Sequence, residues 1–312
     1  LAGAGITTAF AAVGFAWHQK DLRTQEKATE IIRAIARKRD QLMVDFRVHA
    51  RFEIVNSDTA GILEGLLAEQ LVDLVSLMDH TPGQGQYSNL ERYIDFMVKW
   101  LGIPREMLEE KAKTQMASRM QEVVDTPRDW SVAAEVCRLA REHNIPIASH
   151  DDDKPEKVEH MHRLGVTISE FPVTLTAAEY ARQQGMHTIM GAPNAYRGES
   201  NTGNLSAMDA IRLGVVDILA TDYYPAAMLH TAFKLAHGGI MPLHEAMKLI
   251  AENPAAAVGL HDRGRIAIGL KADLVLVEEA PDHPRIRAVL RNGHPIYWDA
   301  HMARLSQLTV QV

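Results

Sequence analysis

The sequence predicts an α/β fold of the (β/α)8 barrel type, followed by a small β subdomain. Three observations carry this. Short apolar runs alternate with amphipathic segments over most of the chain, the pattern of a parallel sheet with crossover helices. Several of these runs end in His, Asp or Glu, as strands do when their C-terminal ends share one site. After Asn253-Pro254 the pattern changes to short strands joined by Gly, Pro and Asp turns.

The runs that predict strands are 6–13, 43–55, 71–77, 146–149, 166–169, 186–190 and 217–220. We count them as barrel strands two to eight, with the first strand expected ahead of residue 1, because the opening Leu-Ala-Gly-Ala-Gly reads as a helix end and a turn. The uncharged start lacks a basic leader and is short for a membrane span. Between the runs, residues 24–39 carry Ala28, Ile31, Ile32 and Ile35 at helical spacing. Asp58 is placed to cap the next helix, and Pro104 to open another at Arg105. The long helical insertion 79–129 suits either a lid over the site or a dimer surface. The expected division is a barrel over 1–261 and a β-sandwich portion over 262–312, with a hairpin turn at Asn292-Gly293.

Composition bounds the function. At 312 residues, with 46% hydrophobic and 23% charged, the chain is long enough and apolar enough to bury a full core. Its net charge of -7 argues against nucleic-acid or anionic-membrane partners, which need a basic face. An anionic small-molecule substrate needs only a few local cations and stays open. The single cysteine, Cys137, rules out an intrachain disulfide or a Cys-rich metal site, reads as a buried helical thiol, and fits a cytoplasmic location.

The polar strand ends are where chemistry is expected. Strand three reads Phe-Arg-Val-His-Ala-Arg-Phe-Glu, so His49, Arg51 and Glu53 alternate onto one face. Strand four runs into Met78-Asp79-His80, strand five into His150-Asp151-Asp152, and strand eight into Asp222-Tyr223-Tyr224. Neutral imidazoles and carboxylates converging in this way suit Zn²⁺ or Mn²⁺, which lowers the pKa of bound water toward neutrality. One strand-end His is more often structural than ligating, and Asp151 and Asp152 equally suit capping a helix that starts near Pro155. The set weighs more than its members. Glu170 either faces the site or serves the turn into a helix capped by Thr174. The Gly-, Asn- and Ser-rich loop 191–207 offers Arg197, Asn194 and Asn204 to an anion, ahead of a helix N-terminus. His160 and His162 stand two apart on a helix and so do not share a face.

SHDD, SEFPVT, MGAPNAYRGESNTGN and ATDYYP, with MDHTPGQGQY upstream, make the chain resemble the phosphonate-metabolism PhnM group of the amidohydrolase superfamily, in order from about residue 1 to 300. The closing GRIAIGLKADLVLVE resembles the terminal β return of many superfamily members. The resemblance implies a distorted barrel with a β-sandwich built from both chain ends, and a metal centre holding one or two zinc ions, with manganese as the alternative. It implies His150 as the fifth-strand ligand, Asp222 as the eighth-strand ligand and proton acceptor, and Glu53 as a third-strand carboxylate. His49, His80 and Glu170 are further candidates. Glu170 stands where many relatives carry His, and the first-strand His-x-His or His-x-Asp pair is expected ahead of residue 1. The implied activity is hydrolysis of α-D-ribose 1-methylphosphonate 5-triphosphate to the 5-phosphate and pyrophosphate, with Arg197, Asn194, Asn204 and Arg51 binding the substrate. The rival readings are a hydrolase of C–N bonds on the same centre and a non-catalytic barrel; a homo-oligomer fits any of them.

Overall fold

The computed structural model describes residues 1–15, 24–55, 57–80, 85, 98, 104–105, 129–200, 203–280 and 283–309. Seven strands pair in parallel and in chain order: β1 (Thr8–Phe15), β2 (Asp45–Glu53), β3 (Leu74–Met78), β4 (Ile147–His150), β5 (Ile168–Glu170), β6 (His187–Gly191) and β7 (Ile218–Ala220). Each falls on one of the apolar runs, and β1 and β7 form the sheet edges.

Parallel neighbours require crossovers, and helices supply them. They are α1 (Gln25–Lys38), α2 (Ala60–Ala68), α3 (Trp130–Glu142), α4 (Pro155–Arg163), α5 (Leu175–Gln183), α6 (Ala192–Arg197) and α7 (Ala207–Arg212), with α8 (Ala227–His237), α9 (Leu243–Lys248) and α10 (Glu252–Ala257) after β7. Side-chain caps set the starts of several: Thr24 accepts from the Lys27 amide, Asp129 from Ser131 and Val132, Thr174 from Ala177, and Ser206 from Asp209. Asp58 does not cap α2. It sits in a 3-10 turn, Ser57–Thr59, that feeds the helix. Apart from 79–80, 85, 98, 104–105 and 129, the insertion expected to form a lid or dimer surface lies outside the described residues.

The two faces of the sheet do different work. Val48, Ala50 and Phe52 of β2 are fully buried in one apolar cluster with Ile32 of α1 and Leu63 of α2. Burying a side chain such as Phe52 contributes about 1.5–3 kcal/mol. On the opposite face Leu74, Ala148 and Ile168 pack with Phe10, Ile189, Ala257 and Val258 into a smaller apolar plug. His49, Arg51 and Glu53 alternate with the helix-facing residues, and two-residue periodicity places them on the plug face, toward the strand ends. The sheet is therefore apolar low on this face and polar at its C-terminal rim.

A second sheet, antiparallel in the order β10-β9-β8, is built from β8 (Leu274–Glu279), β9 (Pro284–Arg291) and β10 (His294–Trp298). Its hairpin turns at Asn292 and Gly293, with φ of 50° and 76°, the doubly left-handed geometry that Asn-Gly favours. The chain then differs from the all-β ending expected of it: α11 (Ala300–Thr309) follows, opened by Asp299, whose carboxylate accepts from the Met302 amide at 2.8 Å. Buried Arg263 joins the region after α10 to the start of the parallel sheet, donating to Thr8 at 2.8 Å and Asp45 at 2.7 Å.

Cys137 is fully buried on α3, and burial pushes its thiol up to about 12. Among the described residues no helix is long and apolar enough to cross a membrane.

Candidate metal centre

The strand registers bring the polar ends together. In β2 against β3, Glu53 pairs with Met78, so His80, two residues on, stands beside Glu53. In β4 against β5, His150 pairs with Glu170, placing the two side chains next to each other. Both contacts form. His80 Nδ1 bonds Glu53 Oε1, and His150 Nδ1 lies 2.8 Å from Glu170 Oε2. Each imidazole is thus held at Nδ1 by a carboxylate, which orients its Nε2 toward a third group.

That third group is Asp151. Its Oδ2 lies 3.6 Å from His150 Nε2 and 3.9 Å from His80 Nε2, and the ligand atoms of the three residues lie within 4.8 Å of one another. Asp151 Oδ2 is buried yet accepts no hydrogen bond among the described residues. A buried, unsatisfied carboxylate oxygen is costly unless something pairs with it. A divalent cation answers that need: two imidazoles backed by carboxylates and one hard oxygen are a donor set suited to zinc, and the residues present fit a metal.

Electrostatics agree with the geometry. Burial raises the Asp151 carboxyl above its ordinary value, against the pull of His150, His80 and Lys157. Burial disfavours charge on His150, but Asp151 and Glu170 outweigh it and hold the imidazole above its ordinary value. Burial also works against the Glu170 carboxylate, and the surrounding His49, His150 and Arg51 overcome it and hold Glu170 well below the usual range. His49 is buried beneath this layer, with Nε2 2.9 Å from the Ser76 hydroxyl, and burial pushes it down to about 4. It is a neutral floor to the site.

Arg51 enters the same space, with Nη2 3.1 Å from His150 Nε2 and Nε 3.0 Å from the Met78 sulfur. Asp222 closes β7 at φ 51°, beside Gly191, where an added Cβ would stand 3.6 Å from its Oδ2. Burial raises the Asp222 carboxyl, opposed by the charges of Arg51 and Arg197. Arg197 is anchored to the Tyr223 hydroxyl at 2.5 Å. Asn194 is occupied elsewhere: its amide donates to Leu205 O at 3.2 Å and accepts from the Ala207 amide at 3.0 Å, strapping the loop to the start of α7. Asn204 lies within that strapped loop.

Of the residues singled out in the sequence, His80 and His150 stand in the three-residue set, Glu53 and Glu170 stand behind them, and Asp222, beside Gly191, does not belong to it. Asp151 was counted among the polar strand ends but taken as able simply to cap the helix near Pro155. The cap position of α4 is taken by Lys154, and Pro155 starts the helix. Three successive aspartates after a strand-end His are more than one helix start can use, and that surplus was the available signal.

The amidohydrolase family model matches residues 1–297. The chain belongs to the amidohydrolase family. It is 37% identical over 301 residues to the α-D-ribose 1-methylphosphonate 5-triphosphate diphosphatase of Escherichia coli (strain K12), a match that covers 95% of this chain and 78% of that one. This amidohydrolase is therefore a hydrolase of the PhnM group. A dihydroorotase from Clostridium botulinum (strain Eklund 17B / Type B) is 37% identical over 86 residues, 22% of this chain and 21% of its own. Among solved structures, the dihydropyrimidinase of Brevibacillus agri NCHU1002 superposes with a TM-score of 0.60 at 12% identity, covering 95% of this amidohydrolase and 78% of its own chain. The D-hydantoinase of Bacillus sp. AR9 gives 0.58, also at 12% identity, covering 95% and 79%. These neighbours share the fold.

Proposed function

We propose that this amidohydrolase hydrolyses α-D-ribose 1-methylphosphonate 5-triphosphate, or a close triphosphate analogue, releasing pyrophosphate. The observation that carries the reading is the pair of guanidinium groups at the site: Arg51 reaches His150 of the His80, His150 and Asp151 set, and Arg197 is tied to Tyr223 next to Asp222. Two such cations suit a polyanionic substrate better than a neutral amide. The Escherichia coli relative, by its name, acts on such a triphosphate. The parallel sheet takes the place of seven of the eight strands of a (β/α)8 barrel over 1–261, with a β-sandwich portion that ends in α11 over 262–312.

His80, His150 and Asp151 are the residues that would hold the metal, zinc before manganese, with Glu53 and Glu170 keeping the imidazoles in the ligating tautomer. When bound, the metal supplies Lewis acidity toward water and phosphoryl oxygen. Arg51 and Arg197 neutralise the phosphate oxygens and orient the chain of phosphates. Water adds its oxygen to the phosphorus nearest the ribose, and the bond from that phosphorus to the pyrophosphoryl oxygen breaks. Asp222, its carboxyl raised by burial, takes the proton of the attacking water at Oδ2. His49, buried beneath the site, is held by the Ser76 hydroxyl at 2.9 Å.

The test is pyrophosphate release from that substrate by the zinc- or manganese-loaded full chain. Arg197→Ala is expected to lower kcat/KM about 100-fold, the effect of losing one charged contact to a phosphoryl group in a site of this type. Hydrolysis of dihydrouracil at full rate in Arg197→Ala, with no pyrophosphate released by the parent, would replace this reading with a C–N hydrolase.

A further inference from the structure

Lys157 lies in the first turn of α4, where the helix dipole favours acidic side chains and disfavours an ammonium group. Its position answers to something else. The Nζ donates to His150 O at 2.8 Å and to Asp151 O at 3.0 Å, and stands 3.7 Å from Asp152 Oδ1. Those two carbonyls belong to the peptide planes on either side of the Asp151 α-carbon. Fixing both planes fixes the φ and ψ of Asp151, and with them the direction of its Cβ.

That direction needs holding. Asp151 has φ 53°, a left-handed conformation that aspartate tolerates better than most side chains but that is still uncommon outside glycine. The Asp151 amide donates to Glu170 O at 3.0 Å, and Gly85 lies so close that a Cβ there would stand 3.2 Å from Asp151 Cβ. Lys157 completes the enclosure from below.

The counter-ion is also built in. Asp152 is fully buried, and its Oδ2 accepts from the Ser149 and Ser169 hydroxyls at 2.5 Å each, tying β4 to β5. Its Oδ1 has no hydrogen bond among the described residues and faces the Lys157 ammonium. Lys157 is itself 11% exposed. A buried ion pair of this kind is costly to assemble and is a weak source of stability, so its hold on the His150-Asp151 backbone is the more telling effect.

We propose that Lys157 and Asp152 form a positioning pair for the metal centre, in which the ammonium locks the His150-Asp151 backbone so that Asp151 Oδ2 faces the two imidazoles. The inference rests on the metal reading of His80, His150 and Asp151. Neither residue of the pair touches substrate or metal; they act through the ligands.

The experiment is zinc affinity of the full chain by competition with a chromophoric chelator, together with the visible spectrum of the cobalt-substituted protein and the melting temperature of the metal-free protein. Lys157→Met alone strands the Asp152 charge, so the decisive variant is Lys157→Met with Asp152→Asn, which removes the charge pair as a unit. That double variant is expected to bind zinc roughly 10- to 100-fold more weakly, the usual effect of losing a partner that orients ligands, and to show an altered cobalt spectrum. Lys157→Arg, which keeps the donors, is expected to recover most of the affinity. A folded double variant with the parent's zinc affinity and cobalt spectrum overturns the positioning role while leaving the metal centre standing. If the double variant does not fold, Lys157→Arg and Lys157→Gln decide: equal zinc affinity in these two overturns the role as well. A parent chain that binds neither zinc nor cobalt overturns the metal reading itself.

Discussion

At the ends of β4, β5 and β7 the residues Asp151, Phe171 and Asp222 have φ of 53°, 56° and 51°. Left-handed backbone at a non-glycine residue costs about 1 kcal/mol or more, and three such turns at one rim of the sheet mark where the chain bends side chains toward a common centre. Asp222 is exposed as a residue, carries little of the core, and is raised by burial of its carboxyl against Arg51 and Arg197. Asp222→Asn keeps shape and removes the proton acceptor. It is expected to lower kcat by about 100- to 10,000-fold while shifting stability by less than about 0.5 kcal/mol, checked by pyrophosphate release and urea unfolding. A variant that stays active sinks the role. His150 and Asp222 were legible from sequence because each ends an apolar run in a residue that an apolar core does not want. The roles of Glu53 and Glu170 as partners of His80 and His150 were not, because they depend on which residue of β2 lies against which of β3, and of β4 against β5, and register is a tertiary property.

At the scale of elements, the parallel strands were legible because each is short, apolar and bounded by polar turns, while their exact starts were not. The run from Ile6 begins pairing only at Thr8, where Asp45 becomes its partner across the sheet. The helix at 300–309 was missed because it follows directly on a hairpin, and its start rests on one Asp299 carboxylate rather than on a strong apolar period. One cap was a better guide. Thr174 caps α5 at the Ala177 amide, 3.2 Å away, and its hydroxyl donates to Asp153 O at 2.9 Å, so one side chain both starts the helix and holds the loop after β4. Thr174→Ala is expected to cost about 1–2 kcal/mol by urea unfolding, the upper part of the range for a lost cap, because a second bond goes with it. Thr174→Ser should restore most of the loss. Equal stability of the alanine and serine variants would show that the hydroxyl contributes nothing.

For the molecule as a whole, the junction between the parallel sheet and the segment after α10 adds a buried ionic cluster to the apolar packing of Phe10 with Ala257 and Val258. Asp45, 6% exposed, faces Arg263, Arg47 and Arg291 at the start of β2, and Arg263 is 7% exposed. Burial alone would raise the Asp45 carboxyl, but the Arg263 hydrogen bond and the three neighbouring guanidinium charges outweigh it and hold the group below its ordinary value of 3.8. Asp217 is held low in the same sense: burial opposes, and the His187 contact, the Thr188 amide and the Arg182 charge prevail. A carboxyl whose folded value lies below its unfolded value stabilises the fold fully above the unfolded value, and that contribution is lost as pH falls through the folded one. Stability of the parent should therefore fall steeply below about pH 4. Arg263→Met removes the principal partner and leaves Asp45 buried with Arg47 and Arg291 only. Breaking one side of a buried pair costs about 3–5 kcal/mol, so the variant should be that much less stable at pH 7. With its main partner gone, burial dominates at Asp45, its folded value rises, and protonation relieves the penalty. The deficit of Arg263→Met against the parent should thus narrow as the pH is lowered from 7 to 4, read from urea midpoints at each pH. A deficit that stays constant across that range would mean that Arg263 acts through packing of its stem and not through the charge of Asp45.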